Sequence, residues 1–344
     1  MPSGHNNIGL PQYSGNRIMG CQNSVFYLDL SVSFDTQGNI PWTDLTTIAG
    51  SPVNTCWQVS ALAGPNNTSI YAFGGVMVDK STTFSVDTVI YEFDTKTQQW
   101  STPEISGTLP KRRKEFQIVQ DNSGKAYMFG GLSDNSTGST KVKWFNDMDI
   151  SDIISMSWSK VSTSKNKAPP LRADFTATML NNSIIVYIGG RQANPASAKT
   201  KSYSNMDQIW TYDTKNASWM LVTAAGTVPG VRIGHSAVLA LDGRIIVFGG
   251  YDQNLSPASP ALAVLDTSTS PFRNYTWVTS TDTEIPLSSP TNSSITNPTL
   301  STSPTSTTTP DYTTKTPSYS ITPQKNGVIS SRTGIILGTT IGAL

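Results

Sequence analysis

The chain has 344 residues, of which only 14% are charged, and a net charge of +1. Nothing in that balance suggests a nucleic-acid partner, which would need a basic face. The run Lys111-Arg112-Arg113-Lys114 is too short to argue otherwise and is expected to be a solvated loop. Residues 1–20 carry no basic start followed by an apolar run, so no signal peptide is expected in this chain.

Tryptophans stand at positions 42, 100, 158, 219 and 277, at intervals of 58, 58, 61 and 58 residues. Each of the last four follows a glycine pair: Gly74-Gly75, Gly130-Gly131, Gly189-Gly190 and Gly249-Gly250. So regular a period means one structural unit copied in tandem.

In chain order, the first unit (about 20–50) is damaged. Phe26-Tyr27-Leu28-Asp29 and Trp42 supply its last two strands, but Gly15-Asn16-Arg17-Ile18-Met19-Gly20 stands where a glycine pair belongs. Four complete units follow, at about 51–108, 109–167, 168–227 and 228–280. Each has a first short strand, such as Phe116-Gln117-Ile118-Val119, and a turn such as Asp121-Asn122-Ser123-Gly124. An apolar strand then runs into the glycines: Ile70-Tyr71-Ala72-Phe73, Ala126-Tyr127-Met128-Phe129, Ile185-Val186-Tyr187-Ile188 and Ile245-Ile246-Val247-Phe248. After a variable polar loop, a third strand is expected to end in aspartate at Asp94, Asp149, Asp213 and Asp266. The tryptophan strand closes the unit. One such sheet cannot bury both faces alone, so the units are expected to stack radially, with glycines allowing close backbone approach and tryptophans filling the space between sheets.

These residues resemble the kelch-repeat β-propellers: a Gly-Gly after strand two, an aromatic-x-Asp in strand three and Trp in strand four. The likeness extends over about residues 20–280. More narrowly, Arg244-Ile245-Ile246-Val247-Phe248-Gly249-Gly250 and Trp144-Phe145-Asn146-Asp147 resemble the propellers of attractin and muskelin. They also resemble fungal cell-surface kelch proteins labelled after the central domain of galactose oxidase. The resemblance implies an all-β propeller over residues 1–281 with about five visible four-stranded blades, the first incomplete and a sixth lost.

From about residue 282 to 327 the chain is dominated by Ser, Thr and Pro, which predicts an extended stalk without a folded core. Residues 328–344 end in the apolar run Gly334–Leu344. Eleven residues are fewer than the roughly 20 of a membrane span. The segment reads as the start of a truncated transmembrane helix or as a short lipid-anchor signal. The expectation is a piece of a longer, membrane-anchored cell-surface or secretory protein.

Glycosylation sequons at Asn66, Asn67, Asn135, Asn181, Asn216, Asn254, Asn274 and Asn292 favour the same route. Cys21 and Cys56 could pair in an oxidising compartment, but are expected to be separate, with Cys56 packing beside Trp57.

Galactose oxidase holds copper with two histidines and two tyrosines. His5 and His235 are this chain's only histidines. His235 occupies a repeated position filled by Phe116 and Phe175 in earlier units, so it is expected to pack rather than bind metal. No Gly-Ser-x-Gly elbow, phosphate loop or Cys-x-x-Cys pair occurs. No cofactor or metal is expected.

A Pro-x-x-Arg recurs after the tryptophans, ending at Arg113, Arg172 and Arg232. By resemblance these loops open on the face of the variable loops after Gly-Gly. Two roles stand open for them. The arginines either clamp an acidic peptide or anionic sugar, or bind blade carbonyls and neighbouring acids. The function expected is a non-catalytic propeller that binds protein or glycan partners at the cell surface. The alternatives are an extracellular copper oxidase and an intracellular adaptor needing a further domain.

Overall fold

The computed structural model describes residues 13–14, 17–18, 21, 23–28, 40–63, 68–79, 83–85, 89–161, 168–193, 201–268 and 274–279. The expected stalk, the apolar end, His5, Asn66, Asn67 and Asn292 lie outside them.

Strands dominate, and the one α-helix among the described residues is the four-residue Thr46–Ala49. Four complete blades of strands a to d follow one another. Blade II holds Val59–Ala63, Ser69–Phe73, Ile90–Asp94 and Gln99–Ser101. Blade III holds Gln117–Gln120, Lys125–Phe129, Met148–Asp152 and Ser157–Lys160. Blade IV holds Thr176–Met179, Ile184–Ile188, Gln208–Asp213 and Ser218–Thr223. Blade V holds Ser236–Leu239, Arg244–Phe248, Leu262–Asp266 and Thr276–Val278. Within each, a pairs with b, b with c and c with d, all antiparallel. Strands a of successive blades lie beside one another, which makes them the innermost. The arrangement is an all-β propeller.

Blade I is a fragment, with Phe26–Leu28 paired to Trp42–Asp44. Its Val25, Leu45 and Ala49 cover Ile70 and Phe93 of blade II. The Trp100 indole donates to the Ala49 carbonyl at 2.8 Å.

The b strands of blades II to IV are apolar on both sides because each of these blades is sandwiched. Every residue of Ser69–Phe73 and Ile184–Ile188 is buried. Between blades II and III, Tyr71, Phe73 and Ile90 meet Phe116, Ala126 and Met128. Between III and IV, Tyr127, Phe129 and Met148 meet Phe175, Ile185 and Tyr187. Between IV and V, Val186, Ile188 and Ile209 meet Ile245, Val247 and Leu265. Trp158, Trp219 and Trp277 join these clusters as expected, whereas Trp42 is 47% exposed.

The turn between strands c and d is held by one aspartate. Asp94 Oδ1 accepts from the backbone of Lys96 and Thr97, each at 2.8 Å. Those bonds hold its carboxyl below the usual range. Asp213 and Asp266 repeat the turn. In blade III the turn residue is Asp152, which accepts from Ile154 and Ser155. Asp149, expected in that place, lies three residues earlier, buried and paired across the sheet with Met128.

Two further expectations are corrected. Cys21 and Cys56 are disulfide-bonded, with Cα atoms 4.8 Å apart. Cys56 does pack, beside Val76 and Val78, but Cys21 packs against the same cluster. The run 111–114 is solvated only at Lys111: Arg112, Arg113 and Lys114 are all buried. Its backbone lies where strand a of blade III enters the sheet, so its side chains turn inward to carbonyls and acids.

Candidate functional site

The loops after each glycine pair and the segments before each strand a gather on one face. Short pairings fix them there: Asn54–Cys56 with Val76–Val78, and Arg172–Ala173 with Arg191–Ala193.

Each glycine pair and each recurring arginine knit successive blades. The Gly75 amide donates to the Arg113 carbonyl at 2.9 Å, Gly131 to Arg172 at 2.7 Å, and Gly190 to Arg232 at 2.9 Å. The guanidinium then turns to its own blade. Arg113 donates to the Gly130 carbonyl, to Asp147 at 2.7 Å and to Asp149 at 3.2 Å. It also lies 3.9 Å from the Phe145 ring centroid. Arg232 donates to the Gly249 and Pro260 carbonyls. Arg172 donates to Ser204 at 2.9 Å, and burial lowers its pKa to about 10. All three side chains are fully buried. A guanidinium without exposed surface cannot clamp a ligand from solvent, so their geometry is that of blade anchors.

Other charged residues of this face keep a small exposed fraction, 21% for Arg191 and 14% for Asp174. Glu115 and Asp174 precede the aromatic ring that opens strand a in blades III and IV, and both adopt positive φ, 58° each. Arg191 donates to both carboxylates and stacks 5.4 Å from Trp144. Burial, and then the neighbouring Glu115 charge, push the Asp174 carboxyl up to about 7. Beside this trio, Lys114 pairs with Asp134 at 2.7 Å and sits 4.8 Å over the Trp57 ring.

Asp134 also caps a single 3-10 turn, Asn135–Thr137. It accepts from the Ser136 amide, while the Thr137 hydroxyl engages the Asp134 backbone. That turn walls a cleft of about 260 Å³ between blades II and III. Asp134, Asn135, Ser139 and Thr140 give it polar edges, with Phe84 and Val142 as apolar walls. Val142 is 55% exposed.

His235 packs as expected. It is 5% exposed, its ring rests against Gly189, and its Nε2 lies 3.1 Å from the Thr176 hydroxyl. Burial, and then Arg232, lower its pKa to about 3. Among the described residues no cluster of three or more His, Cys, Asp or Glu is placed to hold a metal ion. The sequons at Asn135, Asn181, Asn216, Asn254 and Asn274 are exposed at their asparagines.

The Lys114, Glu115, Asp134, Asp174 and Arg191 network was not anticipated from sequence. One signal was present: an acid directly before the aromatic in Glu115-Phe116 and Asp174-Phe175. A non-glycine residue at a repeated position that needs left-handed backbone is uncommon.

Blades of this build, knit by glycine pairs and buried arginines, define a kelch-type propeller. The profile of the KLHDC2/KLHL20/DRC7 Kelch-repeats domain matches residues 14–200, and the chain belongs to that family. It is 32% identical over 192 residues to rat (Rattus norvegicus) "Kelch domain-containing protein 3", covering 55% of this chain and 46% of the relative. To human (Homo sapiens) "Kelch domain-containing protein 1" it is 27% identical over 167 residues, 48% of this chain and 37% of that one. To the Arabidopsis thaliana "Acyl-CoA-binding domain-containing protein 4" it is 28% identical over 183 residues, 50% of this chain and 24% of that one. The chain thus spans less than half the length of these relatives. Among solved structures, YjhT shares the fold, with a TM-score of 0.51 at 14% identity over 75% of this chain and 82% of that one. Kelch-repeat domains are generally protein-interaction modules. No helix among the described residues is long and apolar enough to cross a membrane.

Proposed function

We propose that this propeller is a non-catalytic protein-binding module whose recognition surface is the loop face of blades II to IV. The observation that carries this reading is the cleft of about 260 Å³ with polar edges and two apolar walls. It sits beside a charge network anchored on rigid strands. Loops held by a rigid scaffold are where binding residues concentrate. The cleft suits one apolar side chain of a peptide segment, with its backbone donors reaching Asp134 and Thr140. The Cys21–Cys56 disulfide and the exposed sequons support a secretory or cell-surface setting. A copper oxidase gains no support from His235, whose ring is enclosed by Gly189 and Thr176.

Selection of displayed peptides on the full chain tests the reading. Val142→Lys places a charge on the cleft wall at an exposed position. Peptides selected on the parent are expected to lose at least tenfold in affinity for this variant and to keep their affinity for Leu221→Lys, on an outer strand. Peptides that ignore Val142→Lys place the recognition surface elsewhere.

A further inference from the structure

Among the described residues the exposed sequon asparagines are Asn135, Asn181, Asn216, Asn254 and Asn274, and the strand order sorts them. Within an antiparallel blade the a–b and c–d connections lie at one end and the b–c loop at the other. Asn181 follows strand a of blade IV, and Asn216 and Asn274 follow strand c of blades IV and V. These three stand at the end away from the loop face. Asn135 and Asn254 lie in the b–c loops of blades III and V. Of the five, Asn135 alone lines the cleft. It opens the 3-10 turn Asn135–Thr137, which Asp134 caps at one end and the left-handed Gly138 closes at the other. That turn packs against Val76–Val78 of blade II, which fixes it on the rim.

We propose that Asn135 carries an N-linked glycan and that this glycan closes the cleft, so that glycosylation decides whether the peptide site is open. The inference rests on the cleft reading and the secretory setting proposed above. Asn135 is at once exposed and part of the cleft lining, so a sugar on its Nδ2 starts at the mouth. Because the turn is held at both ends, that first sugar stays there. The lining suits a pyranose. The ring's C–H face can lie on Phe84 and Val142, and its hydroxyl and N-acetyl groups can reach Asp134, Ser139 and Thr140. The bulky, hydrated chain beyond it bars a peptide's approach.

The fold also sets when the sugar arrives. The Thr137 hydroxyl, which completes the sequon, is buried; it accepts from the Asp134 amide at 2.9 Å and donates to the Asp134 carbonyl at 3.0 Å. Transfer therefore precedes closure of the turn. In it, the Asn135 Nδ2 attacks the anomeric carbon of a lipid-pyrophosphate-linked oligosaccharide. The new C–N bond replaces the C–O bond to pyrophosphate, the lipid pyrophosphate leaves with the bonding pair, and Nδ2 gives up one proton.

The full chain, secreted from a eukaryotic host behind a cleavable leader, tests this with peptides selected on bacterially made chain, which carries no N-glycan. Peptide mapping by mass spectrometry is expected to find a glycan at Asn135. The peptides should bind the glycosylated chain at least tenfold more weakly than the bacterial one. Asn135→Gln should recover that loss, and Asn254→Gln, on the same face, should not. Should Asn135→Gln fail to fold, enzymatic release of the glycans, which leaves aspartate at the site, asks the same question of the parent. An unmodified Asn135 in the secreted chain overturns the inference. So does equal peptide binding with and without the glycan; if Val142→Lys still abolishes binding in that case, the cleft reading survives and only its closure by the glycan fails. Peptides that ignore Val142→Lys overturn both.

Discussion

Blades III and V share a design and differ in their surroundings. Both carry a Phe-Gly-Gly, an inward b strand and an aspartate turn. Blade III is covered on both sides, and its Phe129 touches Phe175, Tyr187 and Trp219 with ring centroids 4.7–5.8 Å apart. Among the described residues, blade V is covered on the side of blade IV and bare on the other. The same residue type at the same repeat position is therefore core in one blade and surface in another. A repeat sequence encodes the capacity to pack, and the neighbour decides whether that capacity is used.

The largest effect should come from the two phenylalanines. Phe129→Ala empties a fully buried aromatic site and is expected to cost about 3–5 kcal/mol. Phe248→Ala should lie within about 0.5 kcal/mol of the parent, as exposed substitutions do. Denaturant titrations compare them. Equal losses would mean that Phe248 is covered in solution.

The arginines sharpen the comparison between blades III and IV. Arg113→Met leaves Asp147 to Lys160 at 2.6 Å and the buried Asp149 with only the distant Lys160 at 3.9 Å, and should cost about 3–5 kcal/mol. Arg172 meets no carboxylate, and its Nε and Nη1 have no hydrogen-bond partner among the described residues. Arg172→Met removes a poorly compensated buried cation and should be near neutral or stabilising. A large loss at Arg172 would show that the guanidinium finds a partner in solution. Thermal melts of the two variants are sufficient to decide.

A pH titration separates blade IV from blade V, which has Gly234 where blade IV has Asp174. The Asp174 carboxyl is raised to about 7, against roughly 3.9 in an unfolded chain. Between those values the native protein holds the extra proton, so the contribution of this group to stability falls as pH rises from about 4 to 7. Glu115 faces the group and adds to the rise, while Arg191 opposes it. Asp174→Asn should flatten that part of the stability profile. An unchanged slope would assign the window to other groups.

The blades were legible because their signals repeat. Glycine pairs, tryptophans and strand-ending aspartates each appear in phase, and errors arose where one copy offered two candidates. In Asn146-Asp147-Met148-Asp149 an aspartate occurs three residues before the turn, which displaced the expected register from Asp152. The loop face was less legible for a physical reason. Glu115 and Arg191 are 76 residues apart and belong to different blades. A period shows that their positions recur, but not that the chemistry placed there is complementary. The Cys21–Cys56 bond lies across the damaged first unit, where there was no phase to follow. The arginines were located correctly by their spacing, yet spacing does not reveal which way a long side chain turns.

The most discriminating comparison uses the smallest side chain. Gly130 and Gly249 have nearly the same backbone, with φ of 67° and 68°. Adding a methyl group at either position therefore carries the same left-handed penalty, about 1–2 kcal/mol. At Gly130 the new Cβ would also lie 2.8 Å from the Arg172 carbonyl oxygen and 2.9 Å from the Phe175 ring. Neither can retreat without opening the boundary between blades III and IV, a strain of about 1–3 kcal/mol. At Gly249 the space is open. Gly130→Ala should therefore be the more destabilising by that second amount alone, as denaturant titrations of the two variants would show. A gap absent from the titrations would mean that the inter-blade seam yields to a methyl group.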